Sequence, residues 1–254
     1  MAVRDDLGRF RTALLERGRA CAGATDVGPV RGRNEDAYWI SEHGSVLVMA
    51  DGLGGLPGGD VASALAVEAV AEFFGSALSG QGEALLRNAA ANAQRRVLDV
   101  SSQDAALRGM ATTLVVALVE EARALILHVG DSRAGLWRDG GFVHRTFDHN
   151  GVGDLVRSGA ISAEEARHYP GRNLVREVVG LVSGYEAEYQ VWPLEAGDIL
   201  LLCTDGVSEA IDEDAMARIL SAAPSAASAV AMLVALAAIR GGHDNATAIV
   251  RYVT

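Results

Sequence analysis

Ile199-Leu200-Leu201-Leu202-Cys203-Thr204-Asp205-Gly206 is the stretch that decides how this chain folds. An unbroken apolar run of that length reads as a strand buried on both faces. It ends on a carboxylate followed by a glycine, and related endings recur. Val46-Leu47-Val48-Met49-Ala50 runs into Asp51-Gly52, and Leu125-Ile126-Leu127-His128-Val129-Gly130 runs into Asp131. Asp244-Asn245 stands just before Ala246-Thr247-Ala248-Ile249-Val250. Asp205 closes a strand and Asp244 opens one. If these strands are antiparallel neighbours, both carboxylates lie at the same edge of the sheet. A carboxylate at a buried strand end is costly unless something positive meets it. Hard divalent cations, which take oxygen ligands, are the simplest partner for several such groups at once.

Working outward, strands are predicted at 20–27, 37–41, 45–50, 112–119, 124–129, 134–138, 142–146, 185–191, 199–204 and 246–253. Asp139-Gly140-Gly141 is a hairpin turn signal. Helices are predicted over Asp60–Leu78, with Asp60 as N-cap, and over 82–100, 212–222 and 225–239. Residues 1–20 read as a charged N-terminal helical arm, and 150–180 as an irregular excursion with short helices. Residues 21–254 then form a single domain, with no Pro/Gly/Ser-rich linker dividing it. Successive hairpins imply antiparallel sheets, and two helix pairs need surfaces to cover. The expected fold class is α+β, a sandwich of two sheets with helices outside.

Composition narrows the function. Of 254 residues half are apolar, and the net charge of −11 argues against nucleic acid as the main partner. All 22 basic residues are arginine, which excludes a lysine Schiff base and a lysine-bearing phosphate loop. Cys21 and Cys203 give neither a disulfide framework nor a zinc pattern, and Cys203 reads as core. The most apolar helical stretch, Ala226–Ile239, is shorter than the ~20 residues that span a bilayer. With no signal-peptide pattern at its start, the chain is expected to be cytoplasmic, without a membrane partner.

A further acidic group, Asn34-Glu35-Asp36, follows Arg31. Five like-charged carboxylates gathered without cations would repel, and some would stay protonated. Two or more Mg2+ or Mn2+ ions remove that cost. No His-x-x-x-His or Cys-x-x-Cys set is present, so zinc is not expected. His149 and His243 read as structural or rim residues. Oxygen-only ligation points to hydrolysis or phosphoryl chemistry. In Asp51-Gly52-Leu53-Gly54-Gly55 the glycines allow close backbone approach, so that a carbonyl near Gly52 can ligate a cation.

These residues resemble the motifs of the 2C-type metal-dependent Ser/Thr protein phosphatases, in family order. Thr25-Asp26-Val27-Gly28, Arg31 and Asn34-Glu35-Asp36 are similar to the opening motif. Asp51-Gly52-Leu53-Gly54-Gly55 resembles the Asp-Gly-Met-Gly-Gly loop, and Met110-Ala111-Thr112-Thr113 the Gly-Thr-Thr segment. Val129-Gly130-Asp131-Ser132-Arg133, Asp148-His149, Thr204-Asp205-Gly206 and Gly242-His243-Asp244-Asn245 complete the set. The likeness runs from about residue 21 to 253 and is to the compact bacterial branch. Leu56 replaces a histidine of many bacterial relatives and Leu53 the usual methionine; neither is a ligand position.

The resemblance implies a four-layer α-β-β-α sandwich and a phosphatase that hydrolyses phosphoserine and phosphothreonine in proteins, through in-line attack by a metal-bridging hydroxide. It implies that Asp51 bridges two ions of Mn2+ or Mg2+. Asp205 and Asp244 complete the first site. The Gly52 carbonyl, with Glu35 and Asp36 nearby, serves the second. Asp131 with Asp205 holds a third, weaker ion, and Arg31 receives the substrate phosphate. Residues 150–175 become a flap. Expected partners are phosphorylated proteins and the Ser/Thr kinases that produce them, for an enzyme acting as a monomer. The readings weighed against it are a catalytically weak phosphoprotein-binding module of the same fold and a hydrolase of small phosphoesters.

Overall fold

The computed structural model describes residues 14–76, 82–240 and 242–254. Strands β1 (Leu14–Arg17), β2 (Cys21–Asp26), β3 (Asp36–Ile40) and β4 (Val46–Asp51) lead into helices α1 (Gly59–Gly75) and α2 (Gly82–Gln103). Strands β5 (Leu114–Val119), β6 (Arg123–Val129), β7 (Arg133–Arg138) and β8 (Gly141–Arg145) follow. The short helices α3 (Gly151–Arg157) and α4 (Ala163–Ala166) precede β9 (Glu188–Pro193) and β10 (Ile199–Cys203). A one-turn helix α5 (Asp205–Ser208), helices α6 (Glu213–Ala222) and α7 (Ala226–Ile239), and strand β11 (Ala246–Tyr252) complete the described order.

The strands form two antiparallel sheets, β1-β2-β11-β10-β7-β8 and β3-β4-β5-β6-β9. Side-chain alternation explains why their sequences run apolar without a break. In β10, Leu200 and Leu202 point into the core between the sheets, while Ile199, Leu201 and Cys203 pack with α6 and α7. In β4, Leu47 and Met49 face the inter-sheet core, and Val46, Val48 and Ala50 pack with α1 and α2. Each fully buried leucine contributes roughly 1.5–3 kcal/mol. The result is the expected α-β-β-α sandwich.

Alternation also fixes where the acidic residues point. Tyr38 and Ile40 of β3 lie in the inter-sheet core, so Asp36, two residues before Tyr38, shares that face. Asp51 follows Leu47 and Met49 onto it. These two aspartates are register partners across β3 and β4. They stand opposite each other where the gap between the sheets opens.

Several expectations need correction. Leu14–Arg17 is a strand paired with β2, not part of a helical arm; residues 1–13 lie outside the described residues. An exposed sheet edge offers unpaired backbone groups, and Leu15 packs against the inter-sheet core. Asp60 is not the N-cap of α1. That position is Gly58, in the left-handed region at φ 72°, and Asp60 is the second helical residue, in the first turn, with its carboxylate 3.3 Å from Arg33. The expected end of α1 at Leu78 lies outside the described residues. The strand expected from Thr112 starts at Leu114, because Thr112 and Thr113 are drawn to the backbone of Asp51. The strand expected at 185–191 runs instead over Glu188–Pro193, which brings Trp192 into the inter-sheet core. The hairpin at Asp139-Gly140 is present, with both residues at positive φ (49° and 93°), as a type I′ turn requires.

Candidate metal centre

Asp36 is fully buried and reaches across the sandwich. Its Oδ2 accepts hydrogen bonds from Thr204 Oγ1 at 3.0 Å and Thr247 Oγ1 at 2.6 Å. Both threonines belong to the facing sheet's edge at β10 and β11. Behind them runs a chain of donors. Asn34 Nδ2 donates to Thr25 Oγ1 at 2.8 Å, and Thr25 Oγ1 lies 2.7 Å from Thr247 Oγ1. With Thr247 donating to Asp36, Thr25 donates to Thr247. Asp36 Oδ1 has no hydrogen-bond partner among the described residues.

Asp51 is held by its backbone. Thr113 Oγ1 accepts from its N–H at 2.9 Å, and its carbonyl accepts from Thr112 Oγ1 and Thr113 N–H, both at 2.8 Å. Thr113 Oγ1 also lies 2.7 Å from Ser132 Oγ, which ties the Asp51 turn to the residue after Asp131. Gly52 donates to the Glu35 carbonyl at 3.1 Å. A Cβ on Gly52 would stand 2.1 Å from the Gly59 carbonyl oxygen, so this turn tolerates only glycine.

Asp205 and Asp244 are brought together by a second close approach. A Cβ on Gly206 would fall 2.0 Å from the Asn245 carbonyl oxygen, and β10 pairs antiparallel with β11. Asn245 locks this corner. Its Oδ1 accepts from Glu35 N–H at 2.8 Å, and its Nδ2 donates to the carbonyls of Val27 and Arg33. Asp205 Oδ1 is buried without a partner. Asp244 Oδ2, by contrast, meets Arg31 Nη2 at 2.6 Å, and Arg31 Nε donates to the His243 carbonyl at 3.1 Å.

The electrostatics follow from this crowding. Burial raises Asp51 and Asp205 well above the ordinary carboxylate range, and neighbouring carboxylates raise them further. Asp36 is pushed up to about 6 by burial, against the opposing effect of the two threonine hydroxyls. Asp131 is pushed up to about 7, by burial and then by Asp148, with Arg133 opposing. Glu35 is raised by burial and by Asp60, while Arg33 and Arg31 oppose. A divalent cation reverses all of these shifts. The donors here are all oxygens, and two buried carboxylate oxygens lack any partner. The residues therefore fit a hard divalent cation.

The fold brings every anticipated site residue to one end of the inter-sheet gap, directly or through a shared partner. Arg31, Asp131, Asp205 and Asp244 line a cleft of about 1100 Å³, whose other wall includes Arg167, His168 and Arg172 from the 150–175 segment. Asp148 is not in the acidic group: its two oxygens bind Arg133 at 2.7 Å each. Sequence reading did not anticipate the supporting set of Thr25, Thr112, Thr113, Thr204, Thr247 and Asn245. Their signal was present: all but Thr247 lie inside a quoted motif, and Thr247 follows Asp244 by three residues. His149 packs inside rather than at the rim, with its Nε2 3.7 Å from Glu188 Oε2. Its partner His128 was not singled out.

A sandwich of this kind, with an all-oxygen acidic centre where its sheets part, defines a metal-dependent hydrolase of the class the motifs resemble. Residues 32–239 match the protein phosphatase 2C family. The chain is 32% identical over 230 residues to the serine/threonine phosphatase stp of Listeria welshimeri, covering 88% of this chain and 91% of that protein. Its fold matches the serine/threonine phosphatase Stp1 of Staphylococcus aureus with a TM-score of 0.84 at 31% identity, over 92% of this chain and 94% of that one. The catalytic domain of PstP, solved with two manganese ions, matches with a TM-score of 0.80 at 32% identity, over 94% and 97% of the two chains. The chain belongs to the protein phosphatase 2C family and is a metal-dependent phosphoprotein phosphatase.

Proposed function

We propose that this acidic centre hydrolyses phosphoserine and phosphothreonine in proteins, with two divalent cations held by the residues above. The observation that carries the reading is the pair of buried, unpartnered oxygens, Asp36 Oδ1 and Asp205 Oδ1, within a group of carboxylates whose affinity for protons is raised. Asp51 would serve both ions. Asp205 and Asp244 would complete the first site. The Gly52 carbonyl would serve the second, with Glu35 and Asp36 beside it. Asp131 and Asp205 would hold a third, weaker ion. Mn2+ and Mg2+ both suit an all-oxygen set.

When bound, such ions lower the pKa of water towards neutrality and offset the charge of the phosphate. The chain's own residues do the rest. Arg31 offers a forked, permanently charged guanidinium matched to phosphate oxygens. Its Nη2 holds Asp244 Oδ2 at 2.6 Å, and a cation taking that oxygen would free this N–H for a substrate phosphate. Residues 150–175 form the flap beside the cleft and admit a phosphorylated segment of protein. The partners are phosphoproteins and the kinases that modify them. No helix among the described residues is long and apolar enough to cross a membrane.

The test is phosphate release from a phosphothreonine peptide, with Mn2+ and with EDTA. Activity that EDTA abolishes and Mn2+ restores is expected. Activity indifferent to EDTA overturns the assignment.

A further inference from the structure

Beside the acidic centre, the same inter-sheet face carries a second polar cluster of different chemistry, with the Asp148 carboxylate acting electrostatically on both. His128 of β6 stands opposite Glu188 of β9 in register. The alternation of Ala124 and Ile126 into the inter-sheet core puts His128 on the inner face, and register partners share a face. His149, on the loop before α3, packs its ring edge-on against His128 with centroids 4.5 Å apart. Its Nε2 lies 3.7 Å from Glu188 Oε2. One ligand atom from each of the three residues falls within 4.8 Å of the others.

His128 is the telling member. It is fully buried, and neither Nδ1 nor Nε2 has a hydrogen-bond partner among the described residues. Nearly every buried polar group in a folded protein is satisfied, so such a ring calls for an occupant. The Ser132 backbone favours the charged ring slightly, yet no hydrogen bond of ordinary geometry reaches either nitrogen. Burial, with the neighbouring His149, lowers the pKa of His128 to about 3, so its lone pair is free at any physiological pH. We propose that His128, His149 and Glu188 form a second metal site, selective for a transition-metal ion such as Zn2+ or Co2+ and separate from the all-oxygen centre.

Two imidazoles and one carboxylate are a borderline-soft set that Mg2+ and Mn2+ do not favour. Three protein ligands leave a fourth position for water. Bonds near 2.0–2.1 Å place tetrahedral ligand atoms about 3.4 Å apart, which small side-chain movements supply. Three contacts adjust. Arg157 Nη2 holds Glu188 Oε2 at 2.7 Å, but its side chain is 46% exposed and can turn to solvent. Gln190 donates to the other oxygen at 3.0 Å, which a carboxylate with further lone pairs can keep. The long 3.4 Å contact from Gly130 N–H to His149 Nδ1 is given up. His149 N–H still donates to the Gly130 carbonyl at 2.8 Å, and its carbonyl still accepts from Arg176. An ion there braces the base of the flap segment against the turn that carries Asp131. The spacing search in the sequence missed this set because its ligands come from three separate elements.

The test uses the whole chain with Mn2+ in large excess, so that the carboxylate centre is filled, titrated with Co2+. Tetrahedral Co2+ gives intense visible bands, whereas six oxygen ligands give faint ones. One equivalent of strongly coloured Co2+, displaced by Zn2+, is expected. Glu188→Gln, which keeps the side chain's size, should weaken Co2+ binding at least tenfold, and His128→Phe should abolish the colour. Circular dichroism melts check that each variant is folded, and Glu188→Gln alone decides if His128→Phe is not. Colour that excess Mn2+ removes, or binding unchanged in folded variants, overturns the proposal. So does a crystal structure grown with Zn2+ in which water alone occupies the space between the rings.

Discussion

Asp36 and His128 are both fully buried polar side chains on the inner face of the same five-stranded sheet, and they have opposite surroundings. Asp36 is held by two hydroxyls from the facing sheet and sits among other carboxylates. His128 has no hydrogen-bond partner and faces another imidazole. Burial disfavours the charged form of each, which raises the carboxyl and lowers the imidazole. One group therefore waits for positive charge, whereas the other is already neutral with a lone pair to offer. Hard cations answer the first and transition metals the second.

The comparison can be broken most forcefully at Asp51. Asp51→Asn should cut kcat/KM for a phosphothreonine peptide by on the order of a hundredfold or more at saturating Mn2+. Steady-state kinetics check this, and a variant retaining more than a tenth of the activity contradicts the bridging role. Arg31→Ala should act on binding, raising KM by roughly tenfold with a smaller change in kcat. An unchanged KM would place the phosphate elsewhere.

Two smaller effects sharpen the contrast. Thr247→Val removes one of the two hydroxyls that hold Asp36 and should cost about 1–2 kcal/mol in urea unfolding. No loss would mean that the bond contributes nothing net. The pH dependence of the metal-free chain is the last. Asp36 at about 6 and Asp131 at about 7 keep protons in the folded state that the unfolded chain has released above its ordinary carboxylate range. The folded state binds more protons across that window, so stability falls as pH rises through it. Thermal melts in EDTA should drop by on the order of 10 °C between pH 5 and pH 8, and Mn2+ should remove the trend. A metal-free protein more stable at pH 8 would contradict the crowding argument.

Much of this was legible in particular residues. The run Ile199–Cys203 announced a strand buried on both faces, and Asp205 and Asp244 announced a shared edge that the β10–β11 pairing bears out. The charges of residues 1–20 hid strand β1, because edge pairing depends on an available neighbour and not on local polarity. Asp60 looked like a cap, but the left-handed Gly58 starts the helix instead. Of the threonines that hold Asp36, Thr204 stood in plain sight as a motif member and Thr247 inside a strand run, yet their aim depends on which sheet faces which.

The amino-acid order alone carried the strand pattern apart from β1 and the bounds of β9, together with the acidic residues and the family. Periodicity and residue type are local properties that survive without coordinates. Only the tertiary structure decided that Asp36 is gripped from the opposite sheet, that Gly52 and Gly206 let two loops close to within a side chain's width, and that His128, His149 and Glu188 meet. Those facts are distances between segments far apart in the chain, set by how two twisted sheets stack, and no local pattern encodes them.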